Sequence, residues 1–157
     1  MPTTTQAPAP VVKTIDVGRD PDHCFAVFTA RLGDWWPLES HSISAEKHGQ
    51  PARTAVVEPR AGGRVYEIAP DGTEHHWGEV LAFDRGRRFA MTWQLGRARD
   101  AATEVEVLFA PLPGGGTRVT LTHRLWERLG SAAAQMRTGY DQGWAMVFGE
   151  RFAAAAA

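Results

Sequence analysis

The hydrophobic pattern of this chain is clearest near its C-terminus, from about Ser131 to Phe152. Large apolar residues recur there at every fourth position: Met136, Tyr140, Trp144, Phe148 and Phe152. Residues four apart lie on one face of a helix, so this spacing predicts a long helix with one apolar face. Such a face must be buried against another layer of the fold.

The middle of the chain has the two-residue alternation of β-strands, most clearly from Phe89 to Leu95. Short turns such as Pro70-Asp71-Gly72 separate the alternating runs, and short links make successive strands antiparallel. The predicted strands are Thr54–Glu58, Arg64–Ala69, Trp77–Phe83, Phe89–Leu95, Val105–Phe109 and Val119–His123.

The N-terminal part adds one strand and one helix. Val11 to Val17 alternates and is rich in β-branched residues, which favours a strand. Asp20 followed by Pro21 is typical of a helix start, and Gly33 can end that helix. The residues after Pro37, at 39–52, are expected to be irregular. We expect residues 1–10 to form a flexible tail and residues 11–157 to form a single domain.

Composition and charge limit the partners and the cellular location that can be expected. A formal net charge of −1 gives no global attraction for nucleic acid or an anionic membrane, so neither is expected as a partner. No run approaches the roughly 18 apolar residues of a membrane span, and residues 1–10 do not resemble a secretion signal. The single cysteine, Cys24, fits a reducing compartment and lies among apolar neighbours typical of a core. A cytoplasmic location is therefore expected.

Several short motifs in a fixed order carry a family resemblance. They follow Asp20-Pro21 along the chain: Trp35-Trp36-Pro37, Gly62-Gly63-Arg64-Val65-Tyr66-Glu67, Trp77-Gly78-Glu79-Val80-Leu81, Phe89-Ala90-Met91-Thr92-Trp93, Thr117–His123 and Gly143-Trp144. Together with the order of strand, helix, six strands and long helix, they resemble the START-like superfamily. This superfamily is also called SRPBCC, helix-grip or Bet v 1-like. More narrowly, the chain resembles the activator of Hsp90 ATPase homologue-like branch over residues 11–153.

The resemblance implies an α+β helix-grip fold, in which a curved antiparallel sheet of about seven strands wraps around the C-terminal helix. It also implies a cavity between sheet and helix, which in this superfamily commonly holds lipids, polyketides, hormones or other apolar molecules. Some members are cyclases, aromatases or dehydratases. The Hsp90 part of the name comes from a eukaryotic relative that stimulates a chaperone, and it implies little for a chain with one small domain.

The candidate ligand-binding residues are aromatic and polar side chains on the elements expected to face such a cavity. They are Trp35, Trp36, Tyr66, Trp77, Glu79, Trp93, His123, Tyr140 and Trp144. The alternative for the tryptophans is that they fill the core, which is the commoner fate of aromatic residues. The polar candidates, with Arg64, either orient a ligand or reach solvent at strand ends. No catalytic residue is assigned.

Two glycines on the long helix, Gly139 and Gly143, are four apart and share a face. They either allow close packing of helix on sheet or leave room for a ligand. The six histidines have no spacing typical of a zinc site, and adjacent His75 and His76 point to opposite strand faces. We therefore predict no metal and no cofactor.

Three functions remain open at this stage. The first is binding of a small apolar or aromatic molecule. The second is a polyketide cyclase- or dehydratase-like enzyme that uses the same cavity, with Tyr66, Glu79 or His123 as acid–base groups. The third is a chaperone accessory or interaction module, which predicts an exposed apolar patch. Exposure of Trp35 and Trp36 would favour it, and these residues are also candidates for a homodimer interface.

Overall fold

The computed structural model describes residues 7–157 and contains one curved sheet. Seven antiparallel strands pair in the order β1-β7-β6-β5-β4-β3-β2. Their bounds are β1 Val11–Val17, β2 Thr54–Val57, β3 Arg64–Ile68, β4 Glu74–Asp84, β5 Arg88–Trp93, β6 Thr103–Pro111 and β7 Thr117–Arg124. The predicted seven-stranded antiparallel sheet is therefore confirmed.

The helices lie in the connection between β1 and β2 and at the C-terminal end of the described chain. That connection contains α1 Pro21–Phe28, α2 Leu32–Trp35 and α3 Ile43–His48. Short 3-10 segments at Arg99–Ala101 and Trp126–Ala132 flank β6 and β7. The last is followed by α4 Ala133–Met146, a π-helical segment Val147–Phe152 and α5 Ala153–Ala156, which we call together the C-terminal helix. This arrangement confirms the α+β helix-grip fold.

The π-helical segment explains how a strict four-residue repeat stays on one face. An α-helix has about 3.6 residues per turn, so a residue at every fourth position drifts by about 40° at each step. The wider i→i+5 turn of a π-helix reverses this drift. Trp144, Phe148 and Phe152 are consequently all buried, and the rings of Phe148 and Phe152 stack with centroids 5.5 Å apart.

The core lies between the concave face of the sheet and the helices. Phe28 of α1 packs at ring-centroid distances of 5.2 Å from Phe152 and 5.9 Å from Phe89, so it joins both layers. Cys24 is fully buried and belongs to this core, as predicted. Burial raises the pKa of its thiol, which disfavours the nucleophilic thiolate.

The N-terminal segment contacts the C-terminal helix. The Arg137 guanidinium donates hydrogen bonds to the backbone carbonyls of Ala9 and Pro10. Of the tail predicted over residues 1–10, residues 1–6 lie outside the described part of the chain. Within residues 7–157, none of the helices has the length and apolar character required to cross a bilayer.

Candidate functional site

A cavity of about 710 Å³ lies between the segment of residues 36–46 and the C-terminal helix. The end of β5 contributes Trp93 and, just beyond it, Leu95. The larger apolar side chains that line the cavity are Trp36, Ile43, Trp93, Leu95, Met136, Tyr140, Trp144 and Val147. The volume falls within the range of about 300–1,000 Å³ typical of small-molecule sites. We call this space the aromatic cavity.

The aromatic cavity is displaced from the space that the family resemblance implied. Between the sheet and the C-terminal helix, Trp36, Trp77, Trp93 and Trp144 approach one another, with centroids 5.1 Å apart for Trp36–Trp77 and 5.4 Å for Trp93–Trp144. They leave an apolar void of only about 10 Å³ there. The four tryptophans therefore fill the deep core, and three of them, Trp36, Trp93 and Trp144, also form the inner wall of the aromatic cavity.

Gly139 and Gly143 line the aromatic cavity. A Cβ atom at either position would meet nothing within 4 Å, so neither glycine is required for close helix–sheet packing. Each one lowers the stability of the helix by about 1 kcal/mol relative to alanine. Of the two interpretations of these glycines, the geometry favours room for a ligand.

All six tryptophan indoles donate their N–H groups to partners within the protein. Three of these bonds fix the cavity wall. Trp36 donates to the His41 carbonyl at 2.8 Å, Trp93 to the Tyr140 hydroxyl at 2.9 Å, and Trp144 to Nδ1 of His123 at 3.0 Å. The wall is thus rigid, and its indoles have no donor left for a ligand.

His123 lies behind this wall, fully buried and outside the lining of the cavity. Because Nδ1 accepts from the Trp144 indole, the ring proton is on Nε2, which donates to the Thr103 hydroxyl at 2.7 Å. Burial, reinforced by the positive charge of Arg97, lowers the pKa of His123 from 6.5 to about 3. The imidazole is therefore neutral, and its visible role is to position Trp144.

Glu67 of β3 is a buried carboxylate that the sequence analysis did not single out. Its two oxygens accept four hydrogen bonds: from the N–H groups of Ile43 and Ser44, the Ser44 hydroxyl and the Trp77 indole. Burial by itself raises the pKa of this carboxyl, but the bonds from Ser44, Trp77 and Ile43 outweigh it and hold the pKa below its usual range. Glu67 thus anchors α3, and with it one wall of the aromatic cavity.

A polar pair occupies the wall opposite the C-terminal helix. The Ser40 hydroxyl and Nδ1 of His41 are 2.7 Å apart, and both residues line the cavity. Glu39 and Glu46 line it as well, and Glu39 forms an ion pair with Arg151 at 3.4 Å. This side of the cavity therefore offers hydrogen-bonding and proton-transfer groups that the aromatic wall lacks.

The other candidate residues lie away from the aromatic cavity. Tyr66 of β3 is half-buried and does not line the cavity, and the Arg64 guanidinium is 4.3 Å from its ring centre. Glu79 is half-exposed and lies 3.9 Å from Arg99. Trp35 and Trp77 are buried in the core, where Trp35 donates to the Val27 carbonyl. Four candidates, Trp36, Trp93, Tyr140 and Trp144, are brought together in the cavity lining.

Residues 7–157 contain no group of histidine, cysteine and acidic side chains arranged to hold a metal ion. Trp35 and Trp36 are only 4% and 7% exposed. These two residues therefore do not form the exposed apolar patch that an interaction module would need.

Comparison with known families decides the relationship. The family model described as "Activator of Hsp90 ATPase homolog 1-like protein" matches residues 20–157. The chain belongs to this family. The resemblance drawn from the sequence motifs is therefore confirmed, as is membership of the wider START-like superfamily.

Two solved structures are similar to this chain over nearly its whole length. An anthrahydroquino-γ-pyrone synthase, Txn09, is 36% identical over 95% of this chain and 97% of its own, with a TM-score of 0.63. CalC from Micromonospora echinospora, a self-sacrificing resistance protein, is 26% identical over 94% of this chain and 93% of its own, with a TM-score of 0.70. No curated protein sequence matches.

Proposed function

We propose that this protein binds a planar aromatic small molecule of the polyketide class in the aromatic cavity. The observation that carries the proposal is the cavity itself: about 710 Å³, walled by Trp36, Trp93, Tyr140 and Trp144, with Gly139 and Gly143 leaving space at the helix. Flat aromatic faces favour stacking with a flat ligand. The family and the similarity to a γ-pyrone synthase support a helix-grip function of ligand-binding or cyclase type.

Filling the cavity from the helix side should abolish binding without unfolding the protein. The probe is 2-aminoanthraquinone, a neutral three-ring molecule, and its Kd is measured by quenching of tryptophan fluorescence and by equilibrium dialysis. Gly143→Leu places a side chain in the cavity, so we expect at least a ~10-fold loss of affinity. Leucine favours helix over glycine by up to about 1 kcal/mol, so the thermal midpoint should stay level or rise.

Gly149→Leu is the matched control, because Gly149 is on the same helix but does not line the cavity. We expect this variant to bind the probe like the parent protein. Equal Kd values for parent and Gly143→Leu, or no binding of the probe by the parent, would overturn the proposal.

A cyclase-type reaction is the second candidate, favoured by the hydrogen-bonded Ser40–His41 pair that lines the cavity. A suitable test substrate is 1-(2-hydroxyphenyl)butane-1,3-dione. Its phenol oxygen attacks the distal ketone, and loss of one water gives 2-methylchromone, a fused γ-pyrone. An imidazole can take the phenol proton and pass it to the distal ketone oxygen. It can then carry a proton from the carbon between the two carbonyls to the departing hydroxyl, which leaves as water as the ring double bond forms. Proton transfer of this kind typically accelerates a step by about 10²–10⁴-fold.

For this reaction we expect chromone formation with the parent protein and its loss in His41→Gln, followed by ultraviolet absorbance. His75→Gln should retain catalysis, because His75 does not line the cavity. Equal rates with and without protein would exclude this chemistry for the substrate tested while leaving the binding proposal standing.

A further inference from the structure

The polar atoms on the aromatic wall can be counted completely, and one hydrogen-bond donor remains. The indole groups of Trp36, Trp93 and Trp144 all donate to protein acceptors. Tyr140 differs, because its oxygen is already the acceptor for the Trp93 N–H, at 2.9 Å. An indole N–H is only a donor, so it takes nothing from the tyrosine. The Tyr140 hydroxyl hydrogen therefore needs a separate acceptor.

Among residues 7–157, no side chain or backbone carbonyl accepts a hydrogen bond from the Tyr140 hydroxyl. Its neighbour His123 is unsuited to this role, because both ring nitrogens are engaged with Trp144 and Thr103. Tyr140 lines the aromatic cavity, so the acceptor is to be sought in what fills that space. A polar group on the apolar wall of a cavity, with a hydrogen bond still to make, fixes the orientation of a ligand.

The Tyr140 ring is also held in place before any ligand arrives. It packs edge-to-face on Trp93, with centroids 6.2 Å apart, and on His123, with centroids 4.9 Å apart. The bond from the Trp93 N–H fixes the position of the phenolic oxygen itself. A donor fixed in this way gives specificity at low entropic cost, because binding does not have to immobilise it.

Building on the proposed function, we infer that the ligand carries a ring carbonyl and that the Tyr140 hydroxyl donates to its oxygen. A carbonyl oxygen accepts hydrogen bonds and donates none. It therefore complements a wall whose one unused hydrogen-bonding group is the Tyr140 O–H donor. The aromatic cavity would then prefer quinones and aryl ketones to aromatic hydrocarbons of the same shape. Tyr140 is the residue that sets this preference.

A pair of matched probes tests the inference. 2-Aminoanthraquinone and 2-aminoanthracene share the amine and the three-ring frame, and they differ in the two ring carbonyls. For the parent protein we expect the quinone to bind about five-fold more tightly, as one net hydrogen bond of about 1 kcal/mol implies. In Tyr140→Phe this preference should disappear, while the Kd for 2-aminoanthracene changes little.

The design separates the possible failures. Tyr140→Phe leaves the Trp93 N–H without its acceptor and able to donate to a carbonyl. A second pair, Trp93→Phe and the Trp93→Phe/Tyr140→Phe double variant, lacks this indole donor, and there the preference should be present with Tyr140 and absent without it. Tyr66→Phe removes the hydroxyl of the other tyrosine, which lies off the cavity, and should keep the five-fold preference. Binding of both probes by the parent protein with equal affinity, or a preference that survives in the double variant, overturns this inference alone. Failure of both probes to bind overturns the proposed function and this inference together.

Discussion

Replacement of Glu67 by alanine is expected to lower the free energy of unfolding by about 3–5 kcal/mol, a large part of the stability of a small domain. The carboxylate is fully buried and accepts four hydrogen bonds. Alanine leaves the N–H groups of Ile43, Ser44 and Trp77 without this acceptor, and each buried unpaired donor costs about 1–3 kcal/mol. The loss is measured as a shift of the urea midpoint, followed by tryptophan fluorescence.

Glu67→Gln separates charge from size. The amide keeps one acceptor oxygen but turns an NH₂ group toward donors, so an intermediate loss of stability is expected. The control is Glu79→Gln on the adjacent strand, where the half-exposed carboxylate is 3.9 Å from Arg99 and a change below about 0.5 kcal/mol is expected. Equal urea midpoints for Glu67→Ala and Glu79→Gln would contradict the anchoring role.

Because Glu67 holds α3 in place, it is expected to affect ligand binding in the aromatic cavity as well as the stability of the fold. The residues it holds, Ile43 and Ser44, begin α3, and Ile43 lines the aromatic cavity. A six-residue helix has little stability of its own, because helix nucleation is costly. The hydrogen bonds from α3 to the Glu67 carboxylate therefore hold this short helix against β3. Glu67→Gln should accordingly weaken binding of the anthraquinone probe as well as lower the midpoint.

The architecture was predictable because its periodic signals are long. The four-residue repeat from Met136 to Phe152 specified the buried helix, and the alternation in β5 specified its inward face. The segment 39–52, expected to be irregular, instead contains α3. That prediction was wrong because a helix this short has no periodic pattern. Local signals were present nonetheless: Ser42 caps the N-terminus and Gly49 ends the helix in the left-handed conformation.

Site residues on β3 and β4 were harder to predict because strand phase decides which side chains face inward. Glu67 is in phase with the buried Val65 and Ala69, and this signal could have identified it. The register of β4 shifts twice. Its pairing with β3 shifts between Val65 and Tyr66, and its pairing with β5 shifts between Val80 and Ala82. Such bulges reverse the alternation, so Glu79 does not share the burial of Trp77 despite matching its parity.

The position of the cavity could not be obtained from the sequence. Backbone topology places the C-terminal helix over the sheet, but side-chain rotamers decide how much of the space between them is filled. Here Trp36 lies among Trp77, Trp93 and Trp144, with ring centroids 5.1–5.9 Å away. Those contacts close the deep space and leave the opening beside α3, where residues 36–46 face the glycines of the helix.

Acidification is expected to destabilise the protein from about pH 6.5 downward, well before its carboxylates are protonated. The pKa of His123 is lowered from 6.5 to about 3 in the folded protein, first by burial and then by the Arg97 charge. Between these two values the unfolded chain binds a proton at this residue that the folded protein does not. The free energy of unfolding therefore falls by up to about 1.4 kcal/mol per pH unit, or roughly 4–5 kcal/mol in all.

The geometry gives the same sign independently. A proton added to Nδ1 of His123 would face the Trp144 N–H, replacing a hydrogen bond by two opposed donors. Urea midpoints measured from pH 7 to pH 5 isolate this effect, since glutamates with lowered pKa values, such as Glu67, lose their contribution only below their ordinary value of 4.5. His123→Asn keeps an acceptor for Trp144 but does not titrate, so it should be less stable at pH 7 and show a flatter profile. A parent profile as flat as that of His123→Asn would show that the buried imidazole takes up its proton without cost, and the assignment of a neutral ring bound to Trp144 would then be wrong.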